Sequence, residues 1–217
     1  SGAPSTFDES DRQTRILKNA TWIKCRLNIP TCSNRKVRKR FVKDLEKKLR
    51  FIGMWLRKGQ PKVFWMAGFF FPQGFMTGSL QRHARKWKIP IDQLNFGFKL
   101  LDEYEDSEKL EEPDDGILIS GLYMDGARWD VESHLVRDSR PGELLSLCPI
   151  IHFNPEANHT LKEGLYECPV YKTSTRAGQL STTGMSTNFV LAVELPISED
   201  PSSWVLKGAA MLTQTDL

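Results

Sequence analysis

Apolar residues at Val37, Phe41, Leu45, Leu49, Ile52 and Leu56 are spaced by four, four, four, three and four positions, with charged residues filling the intervals. Such a stripe predicts an amphipathic helix. Ser33 or Asn34 can cap its start, and Gly59 followed by Pro61 ends it. Ahead of it, Ile16, Leu17, Ala20, Ile23 and Leu27 predict an earlier helix between Asp8 and Asn28, closed by Pro30. Beyond Pro61 the sequence runs through "VFWMAGFFF", Val63 to Phe71, before Pro72 and Gln73. These nine apolar residues fall well short of the roughly 20 that a membrane-spanning helix needs. The run reads as an extended segment. Pro72 then presets a first helical turn, and Phe75, Met76, Leu80, His83, Ala84 and Trp87 line one face of a further helix that "KIP" at 88–90 terminates.

After Pro90 the period shortens. "LNFGFKLLD", "DGILISGLYMDG", "CPIIHFNP", "YECPVYKT", "STNFVLAVELP" and "GAAMLTQTD" each read as a strand bounded by Gly, Pro, Asn or Asp. With nothing convincingly helical between them, about six strands imply an antiparallel sandwich or small barrel, because parallel pairing needs crossover helices. The expected fold is therefore α+β: N-terminal helices over residues 7–93 packed on an antiparallel β-barrel or sandwich over 94–217. Residues 1–6, "SGAPST", have neither a basic stretch nor an apolar core. They read as a disordered, non-native leader, with no secretory signal expected.

The aromatic run then acquires a role. Phe64, Trp65, Phe69, Phe70, Phe71, Pro72 and Phe75, together with Trp87 and Trp129, are expected to form the layer that fastens helices to sheet, since each aromatic ring buries on the order of 150–250 Å². His83, on the same helical stripe, reads as a satisfied interface histidine rather than a ligand or base.

Composition adds little to this picture: 217 residues, 40% hydrophobic and 26% charged, describe ordinary globular material. Charge distribution adds more. The net charge of +3 conceals eleven basic residues between Arg35 and Lys58 against two acids, and nine acids between Asp102 and Asp115 against Lys109 alone. The basic residues Arg35, Lys39, Arg40, Lys43 and Lys47 make the first helix a candidate interface. The acidic stretch reads as a solvated loop between the first two strands, and the Ser/Thr-rich segment 172–187 as a hairpin loop. Cys25, Cys32, Cys148 and Cys168 show no metal-ligand spacing, so free thiols in a reducing compartment are expected; a cysteine–histidine site from Cys148, His152, His159 and Cys168 has little support. The acceptor patterns at Asn19 and Asn158 read as chance matches. Phosphate-binding loops, dinucleotide fingerprints, zinc-protease and hydrolase motifs do not occur. The nearest acid and base neighbours, Asp130 and His134, stand without a nucleophile motif. No catalytic residue, metal or cofactor is expected.

Four islands in order then carry a resemblance: "PKVFWMAGFFFPQGFMTGSLQRHARKWKIPIDQLNFGF" (61–98), "GLYMDGARWD" (121–130), "CPVYKT" (168–173) and "STNFVLAVELP" (186–196). From about Val37 onward the sequence resembles the C-terminal region of dynein heavy chains, and "LSTTGMSTNFVLAVELP" is more similar to axonemal, single-headed inner-arm chains than to the cytoplasmic motor. The resemblance implies a non-catalytic structural and regulatory domain of helices and a β-barrel, resting on the AAA+ ring of the same heavy chain. It implies a cytoplasmic location in the axoneme of a cilium or flagellum, microtubule contact only through other parts of the motor, and neither nucleic-acid nor membrane partners. Read from the residues alone, the basic helix leaves a second possibility, a stand-alone module for an anionic surface or nucleic acid. A small hydrolase is a third.

Overall fold

The computed structural model describes residues 35–104, 110–160, 163–174, 176 and 188–214, with side chains from residue 42 onward. The predicted helix between Asp8 and Asn28 and most of the 172–187 loop lie outside the described residues. The protein divides into two compact units, with the division between Lys47 and Lys48.

Helix α1 (Arg35–Lys58) forms as its periodicity predicts and stops at Gly59, whose φ is +90°. Strand β1 (Val63–Trp65) and one 3-10 turn carry the aromatic run into helix α2 (Pro72–Trp87), which has proline in its first turn and Lys88 in the left-handed conformation at its end. The remaining elements are β2 (Leu94–Leu100), β3 (Ile117–Ser120), β4 (Tyr123–Asp125), β5 (Arg128–Asp130), β6 (Leu135–Arg137), β7 (Leu145–Leu147), β8 (Ile151–Ala157), β9 (Leu165–Tyr171), β10 (Phe189–Pro196), helix α3 (Pro201–Lys207) and β11 (Ala210–Leu212).

The strands do not close into a barrel among the described residues. They form a four-stranded sheet in the order β1-β3-β8-β2, a five-stranded sheet in the order β10-β9-β11-β4-β7, and the β5–β6 pair. Side chains of the two larger sheets meet in one core: Ile119 and Phe153 from the first, Met124, Val170, Val193 and Met211 from the second. The architecture is α+β with sandwich-like sheets.

Two pairings correct the purely antiparallel expectation, since β1 runs parallel to β3 and β11 parallel to β9. Both obey the crossover rule that motivated that expectation. Helix α2 lies in sequence between β1 and β3, and α3 between β9 and β11. Helix α3 is itself a correction, in a region expected to be free of helix. Its signals are local: Asp200 accepts the Ser202 amide at 2.7 Å as N-cap, Pro201 opens the helix, and Gly208 ends it at φ +68°.

The expected strand "DGILISGLYMDG" also splits. Gly121 turns the backbone at φ +77°, sending β3 into one sheet and β4 into the other. In the four-stranded sheet Val63 and Leu118, with Ile150 beside it, pack with Leu110 in a small second cluster, whereas Phe64, Ile117, Ile119 and Ile151 point into the main core. At β1 and β3 both faces are covered. Coverage on both sides explains why this part of the sequence is a continuous apolar run rather than an alternating one.

Candidate functional site

The aromatic segment forms a ring cluster within the unit that begins at Lys48. Phe69 stacks on Phe75 with centroids 4.0 Å apart, Phe64 lies 4.9 Å from Phe75, and Trp55 and Phe51 of α1 meet Phe69 edge-on at 6.2 and 5.8 Å. Trp65 meets Phe51 at 6.0 Å, also edge-on. Offset and edge-on contacts suit the ring quadrupole.

Of the residues expected in this layer, Phe64, Pro72 and Trp129 are buried and Trp65, Phe69 and Phe75 half-buried. Phe70, Phe71 and Trp87 lie at the surface, with exposures of 39, 64 and 54%. Each exposed ring has a local reason. Phe71 folds back over Gly74, where a Cβ would collide with it; Phe70 lies 5.5 Å from the Lys48 ammonium; and Trp87 donates its indole N–H to Asp115 Oδ2 at 2.8 Å.

The face of α1 turned inward also differs from the predicted stripe. Lys48 is buried and Phe51 and Trp55 half-buried, while Leu49 and Leu56, two members of the stripe, are 54 and 55% exposed. The stripe member Ile52 is half-buried next to Phe51, so the buried face overlaps the stripe along one edge and is rotated from it by part of a turn. Phe51 and Trp55 win the inward face because their rings reach Phe69 and Phe64, which a leucine would not. In the preceding unit Val42, Lys43 and Lys47 are exposed; Arg35, Lys39 and Arg40 belong to the same helix.

A cleft of about 250 Å³ opens among Trp55, Phe64, Phe75, Arg82, Ile117 and the 112–116 loop. Its organising group is Asp115. The carboxylate accepts from His83 Nδ1 at 3.3 Å, Trp87 Nε1 at 2.8 Å and Lys86 Nζ at 3.2 Å, and its backbone carbonyl accepts from His152 Nε2 at 2.9 Å. Burial opposes its ionisation, yet the bonds from Trp87, Lys86 and His83 hold the carboxyl below its ordinary range. Asp115 thereby pins the loop before β3 onto α2. His83 is a satisfied interface histidine, as its stripe position predicts. The sequence places Asp115 in a solvated acidic loop, and nothing local marks it otherwise.

Asp130 and His134 do not act on each other. Ser133 and Arg128 pull Asp130 down to about 2, and His134 instead faces Asp102 at 3.6 Å. Cys148 and Cys168 are free and buried; burial raises both thiols, Cys168 to about 12. Among the described residues no cluster of histidine, cysteine or carboxylate side chains converges as a metal site, and His152 and His159 are committed to other partners. No helix among them is long and apolar enough to cross a membrane.

Thiolates rather than thiols react, so peptide mapping after treatment with a thiol reagent at about pH 8 should find Cys148 and Cys168 unmodified in the native protein and labelled once it is unfolded. Native labelling at the rate of a free cysteine would show that the core opens freely around them.

Comparisons with known proteins meet this architecture. The family profile for the C-terminal domain of the dynein heavy chain matches residues 28–213. The sequence is 43% identical over 193 residues to Dynein axonemal heavy chain 6 of Homo sapiens, covering 80% of this protein and 5% of that one. It is 46% identical over 177 residues to Dynein axonemal heavy chain 1 of Rattus norvegicus, and 44% identical over the same length to Dynein axonemal heavy chain 12 of Homo sapiens, each time over 81% of this protein and over 4 and 6% of those relatives. It thus spans only 4–6% of the length of these curated relatives. With the profile extending from ahead of α1 through β11, this protein belongs to the family of C-terminal domains of dynein heavy chains.

Proposed function

We propose that this domain is a non-catalytic structural and regulatory element of an axonemal dynein heavy chain, bracing the AAA+ ring of the same polypeptide. ATP hydrolysis and microtubule binding belong to other parts of that motor, which works in the axoneme of a cilium or flagellum. The observation that carries this reading is the outer side of α1. Leu49 and Leu56, seven residues apart, are 54 and 55% exposed. Large apolar groups repeated along a helix at that spacing suit a partner surface better than water. A segment amounting to about one-twentieth of its relatives' length has such a surface available in the rest of the heavy chain. In the preceding unit the same helix carries the basic residues Arg35, Lys39, Arg40, Lys43 and Lys47.

The test is a binding measurement between this domain and the remainder of the motor. Leu49→Asp with Leu56→Asp is expected to weaken docking at least about tenfold, and Lys43→Glu with Lys47→Glu to weaken it in a salt-dependent manner. Unchanged docking in the leucine pair would rule out this face. A strong, salt-sensitive affinity of the isolated domain for polyanions, lost on charge reversal, would instead favour the anionic-surface module. ATP turnover by the domain alone would overturn the non-catalytic reading.

A further inference from the structure

Strand β2 is the outer member of the four-stranded sheet and β10 the outer member of the five-stranded one, and their Cα atoms come within 8 Å. Among the described residues no backbone ladder joins these two edges. Side chains bridge them. His159, just past β8, has a side chain only 7% exposed; its Nδ1 lies 3.0 Å from Glu156 Oε2 and its Nε2 lies 2.7 Å from Glu194 Oε1. Glu156 reaches across β2 at Gly97, where a Cβ would collide with its carboxylate. Glu194 belongs to β10. Glu167, opposite Glu194 on β9, is the further charged residue on that side, and β2 presents Asn95 opposite Glu156.

Ionised carboxylate oxygens only accept hydrogen bonds, so contact at both ring nitrogens requires an imidazolium with an N–H on each. Neutral imidazole has one N–H. Its other nitrogen would turn a lone pair toward a carboxylate oxygen.

We propose that Glu156, His159 and Glu194 form a proton-operated latch across the β2–β10 seam, shut while the imidazole is doubly protonated and released when it loses a proton. Released, the seam holds Glu156, Glu194 and Glu167 with no cation from His159 among them. The hydrogen bond to Glu194, opposed by burial and assisted by Glu156, raises the titration of His159 above its ordinary 6.5. Because the folded value is the raised one, the stabilisation is full below 6.5 and disappears as pH rises through the raised value. The domain's stiffness along this seam therefore depends on proton concentration.

The test combines His159 ring NMR with amide hydrogen exchange of β2 and β10, corrected for intrinsic rates, from about pH 6 to about pH 9. The wild-type seam is expected to lose about tenfold or more of its protection, the worth of charge-assisted bonds, with the midpoint of the His159 titration. His159→Gln should hold the lower protection at every pH. Should that variant fail to fold, Glu156→Gln, at the more exposed carboxylate, should fold and lower the midpoint. A ring that does not titrate in this range, a seam insensitive to that titration, or wild-type pH dependence in His159→Gln would each overturn the latch.

Discussion

Phe153→Ala is expected to destabilise the protein by about 3–5 kcal/mol, read as a lowered urea midpoint at unchanged slope. Phe153 is fully buried on β8, the strand paired on one side with β2 and on the other with β3. Its ring meets Phe98 edge-on at 5.0 Å and Phe96 at 5.7 Å. Truncation would leave a cavity whose walls cannot close, since the backbone is held by ladders on both sides and the partner rings are anchored on β2. Phe153→Leu keeps most of the volume and should cost distinctly less. A loss below about 1.5 kcal/mol for the alanine, the range of volume-conserving swaps, would show that the main core is not rigid at its centre.

Gly116→Ala should cost roughly 2–4 kcal/mol, far more than one added methyl suggests. Gly116 has φ +82°, and a Cβ there would run into the Phe153 carbonyl oxygen and the His152 ring. The carbonyl belongs to a paired central strand and cannot yield. Relief must come from the loop, which would separate His152 from the Asp115 carbonyl and shift the carboxylate away from His83, Lys86 and Trp87. Gly142→Ala separates the two causes, because Gly142 has φ +81° but open space around it. That control should show only the left-handed penalty of about 1–2 kcal/mol. Equal losses at both glycines would mean that the Asp115 anchor contributes nothing; a larger loss at Gly116, accompanied by altered Trp87 fluorescence, is the expected result.

Much of this fold was legible because its signals are local. The spacing from Leu45 to Leu56 predicts α1, Pro72 predicts the start of α2, and the runs around Phe96, Phe153, Val170 and Val193 predict β2, β8, β9 and β10. The link between the aromatic run and Phe75 was legible as well, and the Phe69–Phe75 stack realises it. Membership of the aromatic layer was not legible ring by ring. Phe64 and Phe71 have the same chemistry, yet Phe64 sits in a strand facing the core while Phe71 precedes a helix and covers a glycine at the surface. Strands β5, β6 and β7 are three residues each, too short for alternation to declare itself. Asp115 was indistinguishable in sequence from the other acids between 102 and 115, because its three donors lie about thirty residues earlier.

By itself the sequence determined α1, α2 and the longer strands, the α+β class and the family, all of which follow from residues near one another along the backbone or from runs of identity. Tertiary structure alone decided which face of α1 turns inward, that β1 pairs in parallel with β3 and β11 with β9, and that, of the sandwich or barrel expected, sandwich-like sheets form. It also decided that Asp115 and His159 each draw distant groups together. The physical reason is common to all of these: periodicity states that an apolar face must be covered, but the covering partner is chosen by ring shape, carboxylate reach and backbone room at positions far apart in sequence.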